Sequence, residues 1–330
     1  MLSFVISATD PDGDTLTYSA SNLPSGATFD AGTRTFSWTP SFTQAGSYPG
    51  VHFEVSDGSL TDSEDITITV NDGTVADTQG PLISNVMANP NPLSINTSAN
   101  ITAIVDDSTT GGSVIATAQY RIDSGSWTNM DASDGDFDGA IENVTANMAP
   151  FTIPGVHTVE VRGQDTAGNW GAPVSILLAV YDPAAGFVTG GGWINSPAGA
   201  YSENTTLTGK ATFGFVSKYQ RGANRPTGIT QFQFKVAGLN FHSDSYEWLV
   251  IAGARAQYKG SGTINGTGDY GFMLTAADGQ ISGGGGIDKF RIKIWDKATD
   301  QIIYDNQMGK SDTGEDATQL GGGNIVIHAK

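Results

Sequence analysis

The chain has 330 residues, with 16 Lys and Arg against 34 Asp and Glu, a net charge of −18 and no cysteine. So few basic residues argue against nucleic-acid binding, because phosphate backbones are bound by clustered Lys and Arg. The lack of cysteine excludes disulfides and thiolate metal sites, and no apolar run reaches the ~20 residues of a membrane span. The 43 glycines, among many Ser, Thr, Asn and Asp residues, are typical of short strands joined by tight turns and predict an all-β protein.

The first segment, residues 1–72, alternates apolar and polar residues in short stretches separated by turn signals such as Asp57-Gly58. Strands at this spacing predict a β-sandwich. A family pattern is carried by residues 8–18, 23–27, 36–40 and 53–58. These runs resemble bacterial cadherin-like and immunoglobulin-like repeats, which usually carry one more strand before the strand that holds Phe4. The resemblance therefore implies an open sheet edge, and an open edge invites strand donation, either from another chain or from residues outside this sequence.

A polar stretch at residues 71–81 lacks apolar periodicity and is interpreted as a linker. The second predicted domain, residues 73–183, again contains alternating stretches, such as residues 99–105 and 116–122. Its last part, residues 155–171, resembles the final strands of bacterial immunoglobulin-like domains of secreted proteins. We therefore expect a second sandwich here.

The third predicted domain, residues 184–330, has the densest glycine in the chain and clear alternation at residues 230–236. This pattern predicts one more β-sandwich or jelly-roll-like domain. A second family pattern is carried by residues 190–194, 213–219, 246–250 and 288–296. It resembles the C-terminal β domain found after choice-of-anchor modules in secreted bacterial and archaeal proteins, and this resemblance implies no activity. The expected architecture is three β-sandwich domains in tandem.

The strongest candidate for a metal site is the run that contains Asp10, Asp12 and Asp14 around Gly13. Calcium takes six to eight oxygen ligands, and alternate carboxylates at a glycine turn can supply several of them. Their mutual repulsion is relieved when a cation binds. The family resemblance implies that Asp57 closes the site. The alternative is a solvated polar turn, because Asp-Gly is also a plain hairpin signal.

A second calcium candidate contains Asp134, Asp136 and Asp138. The same repulsion argument applies to it, and the alternative is an acidic surface loop. Further acids lie nearby in the sequence: Glu142, Asp106 and Asp107.

The linker offers a third, weaker candidate, in which Asp72 and Asp77 contribute to a cation between domains. The alternative there is a flexible tether.

Aromatic residues of the third segment suggest a sugar-binding face, because flat rings offer apolar area with a polar edge. The candidate ligand-binding residues are Trp193, Tyr201 and Tyr246. Trp248 and Trp295 lie in apolar alternating runs and are expected in the core.

No enzymatic motif is present in the sequence: it has no Gly-x-Ser-x-Gly elbow, no His-Glu-x-x-His helix and no phosphate loop. The chain is therefore expected to be non-enzymatic, although paired carboxylates that meet only in the fold would indicate a glycosidase.

The expected function is that of a calcium-stabilised structural or adhesive element, such as a stalk, a surface layer or a filament, that is secreted or on the cell surface. Met1 is followed directly by strand-like residues, so we interpret it as a fragment start with the secretion signal upstream. Expected partners are other surface proteins or copies of the same chain. The alternative is a carbohydrate-binding appendage of a secreted hydrolase, with polysaccharide as its ligand.

Overall fold

The computed structural model describes residues 1–41, 43–71 and 76–328, and these fold into two compact units, Met1–Ala76 (unit 1) and Asp77–Lys330 (unit 2). The helical content of the described residues is one 3-10 turn, Lys235–Ala237. The predicted all-β class is confirmed. The division into three domains stays a prediction: the expected boundary near residue 72 lies close to the end of unit 1, whereas residues 183 and 184 lie inside unit 2.

Unit 1 is a small sandwich of two antiparallel three-stranded sheets. Its strands are β1 (Leu2–Val5), β2 (Thr17–Ser21), β3 (Thr28–Asp30), β4 (Thr35–Trp38), β5 (Gly46–Ser56) and β6 (Thr61–Val70). One sheet has the order β1–β4–β3 and the other has the order β2–β5–β6. The side chains of Phe36 and Trp38 on β4 pack against Val51 and Phe53 on β5, because alternate residues of each strand face the other sheet.

Unit 2 begins with an eight-stranded part, residues 82–181. Its strands are β7 (Leu82–Asn89), β8 (Leu93–Ser94), β9 (Asn100–Asp106), β10 (Ile115–Ile122), β11 (Thr128–Ala132), β12 (Ile141–Asn147), β13 (Gly155–Asp165) and β14 (Val174–Tyr181). They follow the order β7–β9–β12–β11–β10–β13–β14–β8. The first residues of β11 pair with β10 and its last two pair with β12, so this strand passes from one layer to the other.

The ten-stranded part of unit 2, residues 187–328, surrounds the largest apolar core of the described residues. Its strands are β15 (Phe187–Ser196), β16 (Gly209–Tyr219), β17 (Pro226–Phe234), β18 (Leu239–Ala252), β19 (Arg255–Ile264), β20 (Thr267–Ala277), β21 (Lys289–Asp296), β22 (Ile302–Asp305), β23 (Thr318–Gln319) and β24 (Gly322–His328). Strands β15 to β22 form a meander in sequence order, where we expected a jelly-roll-like order, and β24 returns to pair with β15.

The β22 end of this sheet lies close to the end of β15, and the β24 end is covered by two acidic side chains. On the β22 side, the backbone N–H of Asp305 donates to the carbonyl of Ala200, shortly after β15. On the β24 side, the buried carboxylates of Asp278 and Asp288 accept hydrogen bonds from the backbone N–H groups of Ile327 and Ile325. These two side chains therefore occupy the edge of β24 that faces away from β15.

The two parts of unit 2 are joined by an apolar contact between β14 and the outer face of the ten-stranded sheet. Leu178 and Val180 on β14 face the eight-stranded core, so Ala179 between them faces outward. Ala179 accordingly packs against Trp248, which is 4% exposed. Trp248 is thus buried as the sequence predicts, but it lies at the contact between the two parts and not inside one of them.

Candidate metal centre

Three carboxylates meet at one end of the eight-stranded part. Asp77, Asp107 and Asp165 each place an oxygen within 4.8 Å of the other two, and they are the only group of three or more potential metal-ligating residues that is this close in the described part of the chain. Asp107 is 0% exposed and Asp165 is 1% exposed, whereas Asp77 is half-buried. We call these residues the acidic triad.

The strand pattern explains why two of these acids point inward. Ile101, Ala103 and Val105 are the buried positions of β9, and Asp107 occupies the next position of that period. On β13 the same period runs through Val161 and ends at Asp165, the last residue of the strand. Because alternate residues of a strand share a face, both carboxylates extend an inward-facing apolar row.

Hydrogen bonds orient the three carboxylates. Asp107 accepts from the hydroxyl of Thr110 at 2.7 Å and from the backbone N–H of Ser113 at 2.7 Å. Asp165 accepts from the backbone N–H of Asn169 at 2.8 Å and from its side-chain amide at 3.0 Å. A carboxylate oxygen has two lone pairs, so each oxygen that accepts one of these bonds keeps one for a cation.

Asp77 belongs to the segment that precedes β7, and two contacts fix its carboxylate. The hydroxyl of Ser113 and the backbone N–H of Gln79 donate to it, and these bonds hold the pKa of Asp77 below its ordinary value. Its backbone carbonyl also accepts a hydrogen bond from the side-chain amide of Asn169 at 3.2 Å. This part of the predicted linker is therefore bound to the sandwich, and from Asp77 onward it is not the flexible tether considered as the alternative.

Glycines allow the segment to come this close. A Cβ atom on Gly111 would lie 2.0 Å from the carboxylate carbon of Asp77, so any side chain at residue 111 would displace that carboxylate. A Cβ atom on Gly171 would lie 1.9 Å from the backbone carbonyl oxygen of Pro81. The Asp77 carboxylate ends a flexible side chain and can move, so Gly111 makes room for that carboxylate. The Pro81 carbonyl belongs to the backbone and cannot move in the same way, so Gly171 makes room for the path of the segment itself.

The electrostatics of the acidic triad favour a divalent cation. None of the ion pairs formed among the described residues includes Asp77, Asp107 or Asp165. Two like charges 4.8 Å apart, the limit for Asp107 and Asp165, repel by roughly 3–4 kcal/mol at an effective dielectric constant of about 20. Three carboxylates offer up to six oxygen atoms, which suits calcium, with water completing its shell of six to eight ligands. The residues present thus fit a calcium ion.

The predicted calcium site of unit 1 has a different geometry. Asp10 is half-buried and accepts hydrogen bonds from the backbone N–H groups of Asp12 at 2.8 Å and Asp14 at 3.0 Å, while the latter two side chains are exposed. Asp57 accepts from the backbone N–H groups of its own turn. The structure does not bring three of these four carboxylates within 4.8 Å of one another. Calcium binding there stays a prediction.

The second predicted site is also dispersed. Asp134, Asp136 and Asp138 are exposed in the loop between β11 and β12, and no three acids of this loop converge within 4.8 Å. Glu142 is buried and accepts hydrogen bonds from the backbone N–H groups of Asp138 and Gly139, so it closes the loop. Calcium binding at this loop likewise stays a prediction.

Sequence reasoning found the acidic triad only in part. The sequence indicates Asp77 as a linker candidate and places Asp107 upstream of the second candidate site, but the motifs of the sequence analysis do not include Asp165. The missed signal is an acid at an inward position of an apolar period, seen after Val105 and again at the end of β13. Asp72, the other linker candidate, lies outside the described residues.

The three aromatic candidates do not form an exposed row. Tyr246 is 7% exposed, and its hydroxyl hydrogen-bonds with Ser243 and Thr230 inside the ten-stranded core. Burial explains why it is not available for a sugar, and it raises the pKa of this tyrosine. Trp193 and Tyr201 are half-buried, and Tyr201 donates a hydrogen bond to Glu203. Tyr246 is thus a core residue, where the sequence analysis expected a surface ligand.

Comparisons with known proteins bear on the N-terminal part of the chain. A search of curated proteins finds no match to this sequence. Among the described residues, no helix has the length and apolar character that crossing a bilayer requires. Residues 1–71, less than half of the chain, match the family described as "Putative Ig domain". An Ig-like domain fits an extracellular adhesive or structural role and specifies nothing finer. The resemblances stated for residues 73–183 and 184–330 stay predictions.

Proposed function

We propose that this chain is a non-enzymatic structural or adhesive segment of a secreted or cell-surface protein, and that calcium stabilises it at Asp77, Asp107 and Asp165. The observation that carries the proposal is the burial of Asp107 and Asp165 within 4.8 Å of each other, without a basic partner among the described residues. Buried like charges are costly unless a counter-charge binds them. Its partners would be other surface proteins or further copies of the chain.

The proposed role of the cation is to fix the segment before β7 to the end of the sandwich. Asp77 lies in that segment, whereas Asp107 directly follows β9 and Asp165 is the last residue of β13. A cation that binds all three carboxylates therefore joins three parts of the chain that are distant in sequence. Because it binds the folded and not the unfolded chain, it adds stability by mass action, and a mechanical element benefits directly from such a constraint.

Calorimetric melting of the full chain with calcium chloride or with EDTA tests the proposal. At a calcium concentration 100 times the dissociation constant, binding adds about 2.7 kcal/mol of unfolding free energy. For a unit of this size that corresponds to roughly 5–10 °C in the melting temperature of unit 2. Equal melting temperatures in calcium and EDTA, together with no heat of calcium binding, would refute the proposal.

Asp165→Asn separates metal binding from ordinary packing. The amide oxygen can still accept the hydrogen bond from the Asn169 backbone. The bond from the Asn169 side-chain amide is lost, and the removal of the repelling charge should outweigh this loss. We expect the variant to be at least as stable as the unmodified chain in EDTA and less stable in calcium. Asp244→Asn, at an exposed position of β18 that belongs to none of the acidic candidates, is the matched control and should leave the calcium response of unit 2 unchanged. Loss of stability in both buffers would assign Asp165 a purely structural role.

A further inference from the structure

Unit 1 contains a groove of about 430 Å³ between β1 and the inner face of the β2–β5–β6 sheet. Its apolar lining consists of Phe4, Ile6, Tyr18, Phe53, Val55 and Ile66. Most of these side chains are only half-buried in unit 1, although they extend the inward-facing rows of their strands. The groove is therefore a part of the sandwich interior that no described segment of unit 1 covers.

Two acids of β6 point into this groove, and Glu54 of β5 also lines it. In an antiparallel pair, residues directly opposite each other share a face of the sheet. Phe53 is opposite Glu64, and Val55 is opposite Asp62, so both acids of β6 lie on the face that carries the buried Phe53 ring. Both are exposed, both line the groove, and neither forms an ion pair with a described residue. The groove thus combines an apolar floor with an acidic wall.

The strands on either side of the groove have free edges. Among the described residues, β1 pairs only with β4, and β6 pairs only with β5. Each strand therefore keeps one row of backbone N–H and C=O groups without a strand partner. Such edges can accept an added strand, whose main-chain hydrogen bonds give affinity while alternate side chains enter the groove.

We infer that this groove binds an extended segment of another protein that carries Lys or Arg at alternate positions. The aliphatic stem of a Lys side chain can pack on Phe4 and Phe53 while its ammonium group reaches Glu64 or Asp62. An apolar side chain at the same position would leave both carboxylates without a counter-charge, and an acidic one would repel them. A second copy of this chain fits less well, because its net charge of −18 opposes approach to an acidic wall.

The inference can be tested on the full chain with a blocked synthetic peptide of alternating lysine and valine, by isothermal titration calorimetry in EDTA. A peptide of alternating glutamate and valine is the control ligand. We expect the basic peptide to bind and the acidic one not to bind. Glu64→Lys should weaken binding by at least ~10-fold, because it places like charges in contact. Asp65→Lys makes the same charge change on the opposite face of β6 and should weaken binding less than ~3-fold.

The remaining outcomes overturn the inference. No binding of the basic peptide would mean that the inward acids only protect the edge from association. Equal losses for Glu64→Lys and Asp65→Lys would indicate unspecific attraction to an acidic surface. Self-association of the unmodified chain that Glu64→Lys abolishes, measured by sedimentation, would assign the groove to a second copy. A calorimetric transition of unit 1 in each variant confirms that the variants fold.

Discussion

Units 1 and 2 use the same antiparallel strands, but they bury their apolar residues to different extents. In unit 1, five described apolar side chains are buried, and nine more are only partly buried around them. In unit 2, the eight-stranded and ten-stranded cores contain 17 and 24 buried side chains. Small domains bury a smaller fraction of their surface, so a single core contributes less stability. Unit 1 is therefore expected to be the weaker unit and the one that gains most from an added strand.

Phe36→Ala should show the largest effect of this difference. Phe36 is 0% exposed and stacks on Phe4 at 4.9 Å, and its removal is expected to cost about 3–5 kcal/mol. A unit of this length has a total stability of roughly 4–10 kcal/mol, so the substitution should remove about half of the stability of unit 1. Hydrogen exchange read by mass spectrometry should show reduced protection in β2 to β6 and normal protection in β15 to β24.

Phe232→Ala is the matched substitution in the ten-stranded part. Phe232 is also 0% exposed and has Tyr304 as its nearest ring at 4.7 Å. The loss of free energy should be similar, but unit 2 should stay folded with a lower melting temperature. If Phe36→Ala also removes protection from β15 to β24, the two units do not fold independently, and the comparison fails.

Gly111→Ala should have a smaller and more selective effect. Its Cβ atom would displace the carboxylate of Asp77, which can move because it ends a flexible side chain. We expect the calcium affinity of unit 2, measured by titration calorimetry, to fall at least ~10-fold, with little change of melting temperature in EDTA. Gly214→Ala is the control, because a Cβ atom there would meet no other atom within 4 Å. Unchanged calcium affinity in Gly111→Ala would argue against Asp77 as a ligand.

The smallest expected effect concerns acid stability in unit 1. Hydrogen bonds from the backbone N–H groups of Leu60 and Ser59 hold the pKa of Asp57 below its ordinary value of 3.8. A carboxyl group with a lowered pKa in the folded state stabilises the protein above its unfolded pKa, and this stability is lost as the pH falls through the folded pKa. Asp57→Asn keeps an acceptor and cannot ionise, so its urea midpoint should decline less steeply than that of the unmodified chain below about pH 4.

Asp14→Asn, measured in EDTA, is the control for this pH dependence. Its side chain is exposed and accepts no hydrogen bond from the described residues. Its urea midpoints should follow those of the unmodified chain across the acid range. Parallel curves for Asp57→Asn and the unmodified chain would mean that the turn does not bind the ionised form of Asp57.

How much could be predicted from the sequence depends on how local each feature is. Alternation predicted the strands, and β4 and β5 show why, because each places apolar residues at every second position of a short run. The contact between β14 and Trp248 could not be predicted, because it depends on which outer faces meet. The acidic triad was missed as a group for the same reason: its members are far apart in sequence, whereas Asp10, Asp12 and Asp14 are close in sequence and not gathered in space.

The side chains that cover the edge of β24 have a consequence for aggregation. An incoming strand from a neighbouring molecule would have to break the hydrogen bonds that Ile325 and Ile327 donate to Asp288 and Asp278. It would also bring its own carbonyl oxygens toward two buried negative charges. Cross-β growth from β24 is therefore disfavoured for two reasons: its free N–H groups already have acceptors, and the two carboxylates repel incoming carbonyl oxygens. The sheet can thus have β24 as an edge strand without that edge acting as a template for fibrils.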